Sequence, residues 1–273
     1  MDLWKRQEQV GKDEVLVRVA ACGICRTDLA FYFDGFPTRR PLPLTLGHEV
    51  SGTVVEAGWN AQEWLGRQVI VHSLIPCGDC EDCRAGHPSV CPQQLFLGND
   101  LHGGFGTHLR VPARGLCSVP DLEDEKVNPN GLDLADLATV PDGIAVCYQA
   151  ALRCELSPGD LAIFIGIGAV GGFGVQVARA LGATVIALDK KSERLEEIRS
   201  CGASLTLQCQ DRNIRDLKTE VRRFARQREI PSWRQRIFET SGTPEGQKTA
   251  FRLLAPGGVV SVIGYTPEAV SYT

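Results

Sequence analysis

The alternation of apolar and polar positions changes character near Ser157. Before it, residues 15–19, 52–56 and 68–72 carry short period-two runs separated by Gly- and Pro-rich turns, and these read as strands. Long helical periodicity is absent there, so residues 1–153 read as an irregular β domain. After a Pro-Gly-Asp turn, the apolar run 161–165 opens a regular alternation. Helices are predicted at 169–181, 192–201, 214–227 and 245–254, with strands at 184–188, 204–207, 236–239 and 259–263. Strands that alternate with helices build a parallel sheet covered by helices, so residues 154–273 read as a second, α/β domain.

Composition adds little but excludes much. The 273 residues are 43% hydrophobic and 23% charged, ordinary for a globular protein. A net charge of −4 leaves no basic footprint for nucleic acid. The first ten residues, MDLWKRQEQV, lack the apolar core of a signal peptide. The most apolar stretch, 161–178, contains five glycines and reads as strand and helix rather than a membrane span. These features point to a cytoplasmic protein with a small-molecule partner.

Eleven cysteines change the picture. Without a secretory signal, disulfides are not expected, and metal binding is the first question. Cys77, Cys80, Cys83 and Cys91 follow C-x2-C-x2-C-x7-C. Four thiolates in fifteen residues can wrap one tetrahedral ion in a closed, structural site. Zinc is favoured over an iron–sulfur cluster, which the spacing alone does not exclude.

Gly166-Ile167-Gly168-Ala169-Val170-Gly171 is a G-x-G-x-x-G turn between a predicted strand and helix, the context in which that pattern signals a dinucleotide site. Asp189 ends the next strand, where a carboxylate binds ribose hydroxyls and disfavours a 2′-phosphate, so NAD is expected over NADP. Lys190 and Lys191 work against that preference. Ser241 and Gly264 follow later strands and are expected to line the cofactor crevice, although a glycine after a strand is more often a turn.

Two further motifs are Cys22-Gly-Ile-Cys25-Arg26-Thr27-Asp28 and Gly47-His48-Glu49-Val-Ser-Gly52. Together with the cysteine lobe and the glycine turn, they resemble the zinc-containing medium-chain alcohol dehydrogenases. The resemblance implies a GroES-like β domain followed by a doubly wound Rossmann domain. In alcohol dehydrogenases a catalytic zinc with three protein ligands is an established arrangement. Here the resemblance assigns those ligands to Cys25, His48 and Asp142, six residues before Tyr148. Taken singly, Cys25 could be a buried thiol or the partner of Cys22 in a redox pair, His48 a core histidine, and Asp142 a helix cap.

The resemblance also implies that Asp28 orients His48, that Glu49 lies behind the zinc, that Arg26 faces the cofactor pyrophosphate and that Thr27 takes the substrate proton. Many relatives end a proton relay at a histidine five residues after the metal cysteine; here that position is Ala30. Segments around Cys22–Gly35, Leu97–Asp100, Pro112–Cys117 and Phe238–Thr243 resemble 6-hydroxycyclohex-1-ene-1-carbonyl-CoA dehydrogenases of aromatic degradation, though those usually carry His where Arg26 stands. A general secondary-alcohol or polyol dehydrogenase is the rival expectation. The family has an extra β segment before residue 15 and continues past residue 273, so the chain reads as truncated, C-terminally incomplete in its Rossmann sheet. A non-catalytic zinc- and NAD-binding remnant is therefore a further alternative, and the full-length form is expected to be a homo-oligomer.

Overall fold

The computed structural model describes residues 10–272; the polar stretch at residues 1–9 and the final Thr273 lie outside the described residues. The chain divides into two compact units, one ending at Asp142 and the other beginning at Gly143. The sequence places its boundary at 153/154. The difference is the helix α3, Ala145–Arg153, whose Cys147 thiol donates to the Val170 carbonyl at 3.1 Å and so belongs with the second unit.

The first unit is built on a five-stranded antiparallel sheet in the order β6-β1-β2-β3-β7. Its strands are β1 (Glu14–Gly23), β2 (Glu49–Ala57), β3 (Gln68–Val71), β6 (His108–Pro112) and β7 (Leu116–Ser118). A two-stranded ladder pairs β4 (Leu74–Ile75) with β5 (Leu95–Phe96), and the short helix α2 (Glu81–Arg84) lies between them in sequence. Alternate valines along β1, β2 and β3 point to one side, so Val15, Val17, Val50, Val54, Val69 and Val71 form a buried core with Leu109 and Val111. Irregularities in register between Leu16 and Val17 and between Val19 and Ala21 bend β1, which runs past the predicted residue 19 to Gly23.

A helix absent from the sequence prediction, α1 (Arg26–Phe33), follows β1 directly. Its sequence RTDLAFYF has no amphipathic period, and Asp28 is its one buried side chain. It is held by its N-terminus instead: the Asp28 carboxylate accepts from the Cys25 amide at 3.0 Å, reaching back to the cap.

The second unit is a parallel sheet in the order β10-β9-β8-β11-β12. Its strands are β8 (Leu161–Ile165), β9 (Thr184–Asp189), β10 (Leu205–Gln208), β11 (Gln235–Glu239) and β12 (Val259–Val262). The covering helices are α4 (Ala169–Ala180), α5 (Ser192–Ser200), α6 (Ile214–Gln227) and α7 (Pro244–Leu253). Central β8 is buried along its whole length, as a strand covered on both faces must be. Leu161, Ile163 and Ile165 meet α6 and α7, while Ala162 and Phe164 meet α4 and α5. Gly174 of α4 lets that helix close on the sheet, because a Cβ there would lie 2.3 Å from the Phe164 ring. The strand order reverses beside β8, and that switch point is where doubly wound sheets bind dinucleotides.

Candidate metal and dinucleotide sites

In the first unit, Cys25, His48, Glu49 and Asp142 each bring one ligand atom to within 4.8 Å of the others. Cys25 caps α1. His48 stands just before β2, on a turn that Gly47 makes with φ +96°, where a Cβ would strike Cys22 Sγ and the Phe105 ring at 2.7 Å. Asp142 sits on a single π-helical turn, Val140–Ile144, a geometry concentrated at functional sites. Ser73 ties the pieces together: its hydroxyl lies 2.9 Å from the His48 carbonyl and 3.3 Å from the Pro141 carbonyl.

The spacing tests whether these residues fit zinc. Zn–S bonds of about 2.3 Å and Zn–N or Zn–O bonds of about 2.0 Å, at the tetrahedral angle, separate S from O by about 3.5 Å and N from O by about 3.3 Å. Cys25 Sγ lies 3.6 Å from Asp142 Oδ2, and His48 Nε2 lies 3.2 Å from the same oxygen. The donor set, a thiol, an imidazole and a carboxylate, is one that zinc favours.

The electrostatics agree. Burial alone would lower the His48 pKa, but Asp142, Asp28 and Cys25 outweigh it and push the imidazole up to about 12. A cation is thus strongly favoured among these ligands. Burial and the Asp142 charge push Glu49 up to about 7. Burial also pushes Asp28 upward, yet His48 and the amides of Cys25 and Gly47 outweigh that and hold its carboxyl below the usual value. His48 Nδ1 is 3.3 Å from Asp28 Oδ1, in charge contact but off the line of a hydrogen bond. The Asp28 oxygens are aligned on the Cys25 and Gly47 amides, at 3.0 Å each. Thr27 Oγ1 is 3.8 Å from Cys25 Sγ. Arg26 is 83% exposed and lies 3.8 Å from Asp34. Burial pushes the Cys22 thiol up to about 11, so Cys22 is inert packing beneath Gly47 and Gly104 rather than a redox partner.

The four-cysteine lobe passes the same test. Sulfurs on one tetrahedral zinc stand about 3.8 Å apart. Here Cys77–Cys91 is 3.5 Å, Cys80–Cys91 is 3.8 Å and Cys77–Cys83 is 3.9 Å. The Cys77 amide donates to Cys91 Sγ at 3.4 Å and the Cys80 amide to Cys77 Sγ at 3.3 Å, an arrangement suited to thiolates. The first of these bonds draws the Cys91 thiol down to about 7, while the Asp79 carboxylate pushes the Cys77 thiol up to about 12, so without an ion the four sulfurs do not all ionise together.

In the second unit, the three glycines of the turn serve three purposes. Gly166 has φ +90° and a Cβ there would strike Ser241 at 2.6 Å. A Cβ on Gly171 would lie 2.0 Å from the Gly166 carbonyl, so this glycine lets α4 start against the turn. A Cβ on Gly168 would meet nothing within 4 Å: the face is open. The amides of the first turn of α4 have no acceptor within the helix and carry its positive dipole end, which fits a pyrophosphate. Asp189 Oδ2 accepts from the Ile167 amide at 2.6 Å, and its Oδ1 from the Lys191 amide at 2.8 Å. The Gly264 amide donates to the Glu239 carbonyl at 2.9 Å, which sets the β12 end beside Gly242.

Sequence reasoning missed Ser73, Phe96 (its ring 5.1 Å from the His48 ring) and the amide contacts of Asp189. None carries a sequence signal, because each acts through backbone or ring contacts that the fold alone creates.

Comparison with known proteins places both halves. Residues 11–121 match the family described as alcohol dehydrogenase GroES-like domain, and residues 169–273 match zinc-binding dehydrogenase. An alcohol dehydrogenase of Geobacillus stearothermophilus is 32% identical over 196 residues, 71% of this chain and 55% of that protein. Galactitol-1-phosphate dehydrogenase of Escherichia coli superposes with a TM-score of 0.86 at 28% identity, covering 97% of this chain and 72% of that one. A zinc-binding dehydrogenase of Sinorhizobium meliloti 1021 bound to NADP superposes with a TM-score of 0.82 at 29% identity, covering 96% and 73%. The chain spans 55% to 73% of the length of the first curated relatives it matches. Among the described residues no helix is long and apolar enough to cross a membrane. Two zinc-spaced donor sets, a Rossmann sheet with its glycine turn, and family matches over both halves lead to one conclusion: this chain belongs to the zinc-binding alcohol dehydrogenase family.

Proposed function

We propose that the protein oxidises a secondary alcohol to a ketone, with zinc held by Cys25, His48 and Asp142 and a nicotinamide dinucleotide held on the Gly166–Gly171 turn. The observation that carries this is the convergence of those three donors within 4.8 Å, with Asp142 at tetrahedral zinc spacing from both Cys25 and His48. Bound zinc supplies Lewis acidity, and the dinucleotide supplies the hydride acceptor.

The chain's own residues supply the rest. Thr27 Oγ1, beside the metal cysteine, accepts the hydroxyl proton of the alcohol while releasing its own proton to water, so that it stays neutral; Ala30 offers no ring nitrogen to end the relay. Asp28 holds the His48 ring through its charge, and Asp28 is itself fixed by the Cys25 and Gly47 amides. Cys77, Cys80, Cys83 and Cys91 hold a second, structural zinc.

Two substrate classes are in play. The pairing of Ala30 with Asp142 supports a ring alcohol of the 6-hydroxycyclohex-1-ene-1-carbonyl-CoA type. Likeness to galactitol-1-phosphate dehydrogenase supports a polyol equally well. The test follows reduced-nicotinamide absorbance with a panel of polyols, simple cyclic alcohols and the CoA thioester. Turnover of one class selects it. Zinc and nucleotide binding with no turnover of any would leave the non-catalytic reading in its place.

A further inference from the structure

Glu239, the last residue of β11, is completely buried. It holds the loops that follow β11 and β12. Its side-chain Oε1 accepts from the Ser241 amide at 2.9 Å and from the Ser241 hydroxyl. Its main-chain carbonyl accepts from the Ile263 amide at 2.8 Å and the Gly264 amide at 2.9 Å, just past β12. Ser241 in turn lies against the glycine turn, where a Cβ on Gly166 would meet it at 2.6 Å. The Thr240 hydroxyl donates to the Gly166 carbonyl at 2.7 Å. One acid therefore stands directly behind the floor on which a pyrophosphate would rest.

That acid is poorly placed to carry a charge. Oε2 has no partner among the described residues and faces the Gly264 backbone, where a Cβ would lie 2.8 Å away. The flanking strands β8 and β12 and the glycine turn bring no titratable side chain. On α7 the charged residues are Glu245, Lys248 and Arg252; beyond β12 stand Tyr265, Glu268 and Tyr272, and all six are at least partly exposed. Oε1 faces the first turn of α7, whose dipole favours the charge by less than burial costs it. Burial accordingly raises the Glu239 pKa against the Ser241 and Gly242 hydrogen bonds. An anion arriving on the glycine turn adds a like charge across a buried, low-dielectric layer, and so disfavours ionisation further. Such linkage is reciprocal, so protonation strengthens anion binding by the same factor.

Resting on the dinucleotide site proposed above, we infer that Glu239 is a positioning residue whose neutral form holds the floor of the crevice, so that nucleotide binding is accompanied by proton uptake at Glu239.

The test is calorimetric titration of the chain with ADP-ribose, whose pyrophosphate diester keeps its charge over the pH range used; no turnover is needed. The proton-bound form binds better, so wild-type affinity should fall at least about threefold as pH rises from about 5 to 8. Repeating the titration in buffers of different ionisation heat counts the protons, and wild type should take up more than about 0.2 per site where its affinity is falling. Glu239→Gln should lose both the fall and the uptake. Ser241→Ala removes a hydrogen bond that favours the charge, so the fall should move to higher pH. Flat wild-type affinity without uptake overturns the inference, as does a wild-type pH profile in Glu239→Gln. An unmoved profile in Ser241→Ala overturns it too, even where Glu239→Gln does not fold. If ADP-ribose binds wild type at no pH, the dinucleotide site itself is wrong and the inference falls with it; pH-independent binding sinks the inference alone.

Discussion

His48 Nε2 and Asp142 Oδ2 stand 3.2 Å apart although 94 positions separate them in the chain. Asp142 Oδ2 also lies 3.6 Å from Cys25 Sγ, so it is the donor common to both short separations, and Asp142→Asn is the sharpest variant of the metal site. The amide keeps the volume but loses the charge. Zinc content is expected to fall from two to one per chain in Asp142→Asn and in Cys25→Ser, with affinity at the first site lowered by at least about 100-fold. Turnover should be lost with it. Plasma emission spectrometry on dialysed protein reads the content; two zincs retained in Cys25→Ser would refute the ligand assignment.

The cysteine lobe predicts a different failure. Cys91→Ala should also leave one zinc, but the cost falls on folding, because a structural ion contributes its binding energy to the folded state. A lower melting temperature, with chelator no longer lowering it further, is the expected pattern in calorimetry. Cys117, exposed and outside the lobe, is the control, and Cys117→Ala should change neither value.

The glycine turn separates folding from binding. Gly171→Ala puts a methyl group 2.0 Å from the Gly166 carbonyl and should destabilise the unit by about 1–3 kcal/mol. Gly168→Ala meets nothing in the protein, so its melting temperature should hold while nucleotide affinity drops at least tenfold. Denaturant melts and ADP titration measure the two. Full nucleotide affinity in Gly168→Ala would show that ligand does not approach this face.

A pH dependence follows from Glu239. It is fully buried; Oε1 accepts from the Ser241 amide at 2.9 Å, and Oε2 has no partner among the described residues. Burial raises its pKa, and the Ser241 and Gly242 hydrogen bonds only partly offset this. A raised folded pKa means the contribution is fully present below the unfolded value of about 4.3 and is lost as pH climbs through the folded value. Glu239→Gln mimics the neutral form. Its melting temperature should therefore gain on wild type as pH rises from about 5 to 8. A constant gap across that range would mean that Glu239 does not titrate with folding.

Much of this was legible in the sequence, for physical reasons that differ by element. Strand β8 and helix α6 fall on the residues predicted, 161–165 and 214–227, because a strand buried on both faces is uniformly apolar and a one-sided helix is strongly periodic. The residues of the two donor clusters were legible by spacing and resemblance. Helix α1 was not, since its stability comes from Asp28 reaching back to Cys25 rather than from an apolar stripe. The π-turn at Asp142 and the Ser73 bridge were not, because both arise from contacts distant in sequence. Asp189 was legible as a strand-end carboxylate, but not as an acceptor already committed to two amides.

The lobe has one consequence for how the molecule ages. Among the described residues, the hydrophobic cluster of the first sheet includes none of its four cysteines, so the loop from Cys77 to Cys91 is closed by sulfur rather than by oil-like packing. Closed through an ion, it is a cross-link with the opposite redox sense to a disulfide: reductants preserve it, and oxidants cut it by pairing the thiols and expelling the metal. Peroxide would then act on this protein first by exchanging an ion for disulfides within one loop, releasing the metal while the loop stays tied.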